Sequence, residues 1–153
     1  MKKISPTEVL KQWENLDRSE QNSRAARAYA RKAGMKSIAE VRCAAWLEKN
    51  NIQYGYETEK WVYQHAPQKY TPDFCMGGPV IEVKGKMTAD VRKKLLSVKK
   101  SNPDKVIYLV FERASNKIRG GSKTTYGMWA DNNDFDWGEV VPKAEWFKRG
   151  RMK

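Results

Sequence analysis

Three stretches with helical periodicity occupy the first third of the chain, and alternating, strand-like stretches follow them. Ser5-Pro6-Thr7-Glu8 has the pattern of a capping box with proline at the first helical position, and it predicts a helix through Leu16. A second helix is predicted from Ser19 to Ala33, ended by Gly34, and a third from Ser37 to about Asn50. The N-terminal region is therefore predicted to be helical.

The rest of the chain mixes predicted strands and helices. Residues 52–57 and 60–64 alternate and are rich in Tyr, Trp and Val, which favours strands. Residues 65–69 are polar and contain a proline, so we predict a connector in which His65 is an exposed loop residue rather than a catalytic base. Further elements are a helix 88–101, a strand 106–111, and short helices at 124–132 and 143–149. The pattern predicts an α/β fold with a mixed, largely antiparallel central sheet flanked by helices.

The segment 70–85 carries the most informative pattern. Gly77-Gly78 between two apolar runs is typical of a two-residue hairpin turn, and this turn would place Phe74 opposite Ile81 and Asp73 opposite Glu82. Strand alternation gives the hairpin one apolar face, predicted to be core: Phe74, Met76, Ile81 and Val83. The other face carries the polar residues Asp73, Glu82 and Lys84, with Cys75 and Val80 nearer the turn.

Two carboxylates directly opposite each other destabilise a hairpin unless something neutralises them. A divalent cation is suited to this, because Mg²⁺ binds one or two carboxylates together with phosphate oxygens. Lys84 projects from the same face, where its ammonium group could orient an attacking water and stabilise charge on phosphoryl oxygens. The alternative is a solvent-facing strand on which Lys84 simply pairs with the acids. The Pro-Asp at the cross-strand position and the adjoining basic segment favour the metal interpretation.

Charge is distributed unevenly along the chain. The 153 residues include 30 Lys and Arg against 18 Asp and Glu, a net charge of +12. Residues 1–34, 84–100 and 143–153 carry +4, +6 and +4, whereas the two stretches between them carry −1 each. Separate basic patches suit a polyanion, because neutralising phosphates releases counterions and supplies non-specific affinity for nucleic acid. A solvated basic surface, or one that binds ribosomal RNA, would have the same composition.

The candidate DNA-binding residues lie in the first two patches. Arg24, Arg27 and Arg31 recur along one face of the second predicted helix, where they could follow a phosphate backbone or form a solvated face. The candidates in the second patch are Lys86, Arg92, Lys93 and Lys94.

Glu40 has two possible roles. Ser37-Ile38-Ala39-Glu40 forms a capping box, which gives Glu40 a sufficient structural function. Glu40 also shares a stripe with Ala44 and Leu47, so its carboxylate could point toward the body of the protein. Taken alone, these residues favour the cap.

Pro72-Asp73 followed on the neighbouring strand by Glu82-Val83-Lys84 resembles the signature of the PD-(D/E)XK nuclease superfamily. From about Ser37 to Phe147, roughly three quarters of the sequence, the chain is similar to the phage T7 endonuclease I family, the Holliday-junction resolvases of T7-like bacteriophages. The similarity runs in register through the segments 37–40, 70–74, 82–85, 92–96, 109–111, 121–127 and 142–146.

The resemblance implies four catalytic residues: Glu40, Asp73, Glu82 and Lys84. Asp73 and Glu82 would hold Mg²⁺ or Mn²⁺, with the Val83 carbonyl as a further ligand. Glu40 would complete the site near a second metal ion, which makes it catalytic first and a cap second. Lys84 would position the attacking water, and cleavage would leave 5′-phosphate and 3′-hydroxyl ends.

The family also implies a restriction-endonuclease-like fold in an intertwined, domain-swapped homodimer, in which a helix of the partner completes each site. Residues 64–69 occupy the position of the bridge between the two halves. Residues 1–34 depart from the family pattern, because two capped helices stand where a short basic segment is expected. We therefore predict a basic helical extension, 1–34, and an endonuclease domain, 35–153.

The predicted function is a Mg²⁺-dependent, structure-selective endonuclease that resolves four-way junctions in branched DNA. One alternative is a sequence-specific nuclease of restriction or homing type with the same fold, and another is a non-catalytic basic protein that binds nucleic acid. No apolar run approaches the roughly 20 residues of a membrane helix, so we expect no membrane partner and a cytoplasmic protein, in the host cell if phage-encoded. Cys43 and Cys75 are too few for a disulfide scaffold and are predicted to be reduced and buried.

Overall fold

A computed structural model describes residues 2–63 and 67–148. The chain forms two compact units, Met1–Gln53 and Tyr54–Lys153. The first unit contains three helices: α1 Pro6–Glu14, α2 Ser23–Lys32 and α3 Ile38–Lys49. The predicted division into a helical extension, 1–34, and an endonuclease domain, 35–153, stays a prediction.

Side-chain caps begin all three helices of the first unit. Ser5 and Ser37 accept from the backbone N–H groups three residues later, as predicted. The second helix was predicted to begin at Ser19, which is wrong: the Asn22 side chain caps α2, and a turn precedes it in which Glu20 N–H donates to the Asp17 carbonyl at 2.8 Å. The structure therefore moves the start of α2 four residues along the chain.

Helix α1 packs within the first unit through one apolar side. Val9 and Trp13 are buried, and the Trp13 ring meets the edge of the Tyr29 ring with centroids 5.8 Å apart. The Thr7 hydroxyl donates to Glu48 Oε2 at 3.0 Å and joins α1 to α3. The N-terminal residues are thus integrated into a packed three-helix unit.

The second unit contains a five-stranded sheet in the order β1-β4-β5-β6-β7 and a two-stranded sheet, β2-β3. The strands are β1 Gly55–Tyr56, β2 Trp61–Tyr63, β3 Gln68–Tyr70, β4 Phe74–Cys75, β5 Val80–Lys84, β6 Ile107–Phe111 and β7 Trp137–Glu139. The helices are α4 Ala89–Ser101, α5 Tyr126–Asn132 and a short 3-10 helix, Ala144–Phe147.

The mixed sheet flanked by helices confirms the predicted α/β class, but the sheet is not largely antiparallel. Strands β1, β4 and β5 pair antiparallel, whereas β5 pairs parallel with β6, and β6 parallel with β7. The reason is α4, which carries the chain back along the sheet between β5 and β6, because a parallel pair requires such a crossover. Strand β7 was not predicted.

Apolar residues cover both faces of the central strands. On one face Leu95 and Val98 of α4 belong to a single buried cluster with Val80, Leu109 and Phe111. The other face includes Tyr108, whose ring stacks on Trp146 at a centroid distance of 4.3 Å. All five residues of β6 are buried, because the strand pairs with a neighbour on each side and lies within the sheet. The strands of the β4–β5 hairpin are therefore part of a well-packed core.

Strands β2 and β3 correct the predicted connector. They pair antiparallel with Trp61 opposite Tyr70 and Tyr63 opposite Gln68. Gln68 and Lys69, predicted within the connector, are therefore strand residues. His65 lies outside the described residues, as do the other residues of 64–66, and the bridge predicted at 64–69 stays a prediction.

Two further predictions concern the membrane and the cysteines. Within residues 2–63 and 67–148, no helix has the length and apolar character needed to span a membrane.

Cys43 and Cys75 are both buried and form no disulfide, as predicted.

Candidate active site

The β4–β5 hairpin has the register predicted from its glycine turn. Phe74 pairs with Ile81 and Cys75 with Val80, and the Met76 N–H donates to the Pro79 carbonyl at 3.1 Å across the turn. Gly77 has a φ of 81°, a conformation that other residues rarely adopt. The turn thus fixes which residues face each other at the open end of the hairpin.

Asp73 and Glu82 lie together at that open end, and both are buried, with 9% and 4% of their surface exposed. The Val83 N–H donates to Asp73 Oδ2 at 2.8 Å, and the Asp73 N–H points to Glu82 Oε2 at 3.4 Å. Each carboxylate is therefore connected to the backbone of the opposite strand. The predicted juxtaposition of the two acids is confirmed, and their burial contradicts the alternative of a solvent-facing strand.

The Glu82 carboxylate receives a different donor on each oxygen. The Lys84 ammonium group pairs with Oε1, and the Tyr70 hydroxyl donates to Oε2 at 2.6 Å. Lys84 is partly exposed, whereas Tyr70 is almost completely buried. The second unit thus brings three predicted site residues, Asp73, Glu82 and Lys84, into one cluster, to which the structure adds Tyr70.

Tyr70 lies in the segment 70–74 that resembles the family, and the sequence by itself indicates no role for it. Burial raises the pKa of its hydroxyl well above 10, and the charge of Glu82 and the hydrogen bond to Glu82 act in the same direction. Tyr70 therefore stays protonated near neutral pH and remains a donor. Periodicity could not reveal the contact, because Tyr70 belongs to β3, a strand of the other sheet.

The donor set at the hairpin suits a hard divalent cation. Two adjacent buried carboxylates repel each other, so a cation bound between them offsets this repulsion and stabilises the folded protein. Asp73 and Glu82 supply two oxygen ligands, and Mg²⁺ commonly takes its remaining ligands from waters and phosphates. Across residues 2–63 and 67–148, no three His, Cys, Asp or Glu side chains form a metal-binding group. The fit therefore rests on the acid pair, and the Val83 carbonyl ligand stays a prediction.

Glu40 lies in the first unit, and its capping role is confirmed. Its Oε2 accepts from the backbone N–H groups of Lys36 at 2.8 Å and Ser37 at 3.1 Å, while Ser37 Oγ accepts from the Glu40 N–H at 3.2 Å. The side chain is buried, as expected for its stripe with Ala44 and Leu47. Its catalytic role stays a prediction.

The candidate DNA-binding residues fall into two groups. Arg24, Arg27 and Arg31 are all exposed on α2, and we call them the α2 arginine stripe. Lys86, Lys93 and Lys94 are also exposed, and Lys94 Nζ lies 5.5 Å from the centroid of the Tyr70 ring. The second unit therefore presents exposed lysines, and one of them, Lys94, lies near the Tyr70 ring.

Arg92 differs from the other basic candidates. It is half-buried, and its guanidinium donates to the carbonyl oxygens of Met87 and, at 3.0 Å, of Ile118. These bonds connect the start of α4 to a distant loop. Arg92 therefore has a structural role that the sequence does not reveal, because both partners are main-chain atoms and leave no pattern in the sequence.

Comparisons with known proteins find similar phage proteins. The family described as Phage endonuclease I matches residues 21–153. Endonuclease I of Escherichia phage T7 is 33% identical over 127 residues, which cover 80% of this chain and 85% of the relative. Endodeoxyribonuclease 1 of Enterobacteria phage T3 is 35% identical over 101 residues, which cover 64% of this chain and 66% of the relative.

The mixed sheet flanked by helices and the two named phage nucleases together identify an α/β protein of nuclease type. The chain belongs to the phage endonuclease I family. The resemblance inferred from the sequence motifs is thus confirmed, and the family match begins earlier in the chain, within the predicted N-terminal extension.

Proposed function

We propose that this protein is a divalent-metal-dependent endonuclease that cleaves phosphodiester bonds in branched DNA, with four-way junctions as its substrate. The observation that carries the proposal is the cluster of Asp73, Glu82 and Lys84 at the open end of one hairpin. The name of the phage T3 relative, an endodeoxyribonuclease, supports DNA rather than RNA as the substrate.

Asp73 and Glu82 would hold Mg²⁺ or Mn²⁺. The cation, when bound, supplies positive charge to the scissile phosphate. The Val83 N–H keeps the Asp73 carboxylate in place, and Lys84 and Tyr70 do the same for Glu82. The Lys84 ammonium group is partly exposed, so it can also reach a phosphoryl oxygen or orient the attacking water.

The basic residues would bring the DNA backbone to this cluster. Lys86, Lys93 and Lys94 are exposed in the same unit as the acids, and each phosphate they neutralise releases counterions. Contacts with phosphates depend on the position of the DNA backbone and not on the identity of the bases. Selectivity for branched DNA would therefore come from the shape of the junction.

A homodimer is part of the proposal. Resolving a four-way junction requires two symmetric cuts, and a two-fold symmetric dimer supplies two equivalent sites. Glu40 would complete each site from the helix of the partner subunit.

The test compares cleavage of a four-way junction with cleavage of linear duplexes of the same sequences, in Mg²⁺ and under single-turnover conditions. Glu82→Gln and Lys84→Ala should each lower the junction cleavage rate on the order of 10²-fold or more. Junction binding, measured in Ca²⁺, should persist. The matched control is Asp104→Asn, which removes an exposed acid in the loop before β6 and should leave the rate unchanged.

Undiminished cleavage by either site variant would overturn the mechanism. Equal cleavage of junction and duplex by the unmodified protein would instead favour the restriction or homing alternative. Binding without cleavage would favour the non-catalytic alternative.

A further inference from the structure

We infer that Tyr70 is a positioning residue that holds Glu82 in the orientation needed to bind the divalent cation. The inference rests on the proposed function, since it names a residue that supports the same site. Tyr70 is neither one of the two acids nor the lysine of the cluster, and it lies on a different sheet from them.

The contact between Tyr70 and Glu82 is short and shielded from water. The hydroxyl donates to Glu82 Oε2 at 2.6 Å, and the two residues are 2% and 4% exposed. The Tyr70 ring packs beside Trp61, its partner across β2 and β3, with centroids 6.1 Å apart. The ring is therefore fixed by packing, and its hydroxyl is a fixed donor.

The two side-chain donors, Lys84 and Tyr70, contact different oxygens of the Glu82 carboxylate. Lys84 pairs with Oε1, and it lies two residues further along the same strand as Glu82. Without the Tyr70 hydroxyl, Oε2 would retain the weaker contact with the Asp73 N–H at 3.4 Å, and the carboxylate would be free to rotate toward Lys84. Donors that orient a ligating carboxylate typically change metal affinity by about 10- to 100-fold. Tyr70 thus keeps Glu82 directed toward Asp73.

Tyr70→Phe tests the inference, because it removes the hydroxyl and keeps the packed ring. The two-stranded sheet β2-β3 that contains Tyr70 also offers a matched control, Tyr63→Phe. Tyr63 is also buried, its hydroxyl donates to Gln68 rather than to a site acid, and Lys94 Nζ lies 6.0 Å from its ring centroid. Both variants lose one hydroxyl from neighbouring positions of one small sheet.

Mn²⁺ affinity is measured by calorimetry without DNA, and kcat and KM for the junction are measured over a series of Mn²⁺ concentrations. We expect Tyr70→Phe to weaken Mn²⁺ binding about 10-fold or more. It should lower kcat at low Mn²⁺, recover most of it at high Mn²⁺, and leave KM for the junction unchanged. Tyr63→Phe should match the unmodified protein in all three quantities.

Equal Mn²⁺ affinity in Tyr70→Phe and Tyr63→Phe would overturn the inference. So would a loss of activity in Tyr70→Phe that follows a lower melting temperature and is not rescued by Mn²⁺. Glu82→Gln distinguishes a failure of the proposed function from a failure of the positioning role of Tyr70. If Glu82→Gln cleaves normally, the proposed function fails; if it is inactive and Tyr70→Phe behaves like Tyr63→Phe, only the positioning role fails.

Discussion

Replacing Glu40 with glutamine should separate its capping role from its proposed catalytic role. Glu40 Oε2 accepts from the backbone N–H groups of Lys36 at 2.8 Å and Ser37 at 3.1 Å. Glutamine has nearly the same shape and retains a carbonyl oxygen, so it can accept these bonds without the negative charge. Ser37→Ala is the converse change, because it removes the hydroxyl that accepts from the Glu40 N–H at 3.2 Å and keeps the carboxylate.

The two variants should lose similar stability. Glu40→Gln loses the attraction between a negative charge and the helix N-terminus, roughly 0.3–1 kcal/mol. Ser37→Ala loses an N-cap, which costs about 1 kcal/mol. Their activities should differ strongly, because a carboxylate that takes part in the reaction contributes on the order of 10²-fold or more to the rate. Ser37→Ala should cleave within about two-fold of the unmodified protein, since a cap acts on stability rather than on the reaction.

Urea unfolding gives the stability of each variant, and single-turnover cleavage of a four-way junction in saturating Mg²⁺ gives the rate. The comparison is made well below the unfolding transition, so that both variants are folded. If Glu40→Gln cleaves at the normal rate, Glu40 is only a cap. The same conclusion follows if both variants lose activity in proportion to their loss of stability.

The remaining predictions concern the basic residues. Arg92→Gln should lower the free energy of unfolding by about 1–2 kcal/mol, because the bonds from Arg92 to the Met87 and Ile118 carbonyls are lost. Lys93→Gln, at an exposed neighbour, should keep stability and weaken junction binding. Urea unfolding and binding titrations measure both, and equal stability of the two variants would refute the structural role of Arg92. Replacing the α2 arginine stripe with glutamines should reduce the slope of log affinity against log salt by roughly two to three. An unchanged slope would mean that the stripe is a solvated face.

Local interactions explain most of what could be predicted from the sequence. The glycine turn fixed the register of the β4–β5 hairpin, and the register placed Asp73 beside Glu82. The capping box at Ser37 and Glu40 formed as predicted, because both partners lie within four residues of each other. The start of α2 also depends on local interactions. A turn at Asp17–Glu20 competes with the helix, and the Asn22 side chain then caps it, so the helix begins later than predicted.

The sequence by itself determined the helix caps at Ser5 and Ser37, the hairpin with its paired acids and adjacent lysine, and the family, because each depends on local sequence patterns. The tertiary structure alone decided that β6 and β7 run parallel to β5, that Arg92 bonds to the Ile118 carbonyl 26 residues away, and that Tyr70 reaches Glu82 from another sheet. Contacts of this kind join distant residues, often through main-chain atoms, and packing rather than local pattern brings them together. The acids could therefore be found in the sequence, whereas the residue that holds one of them in place required the fold.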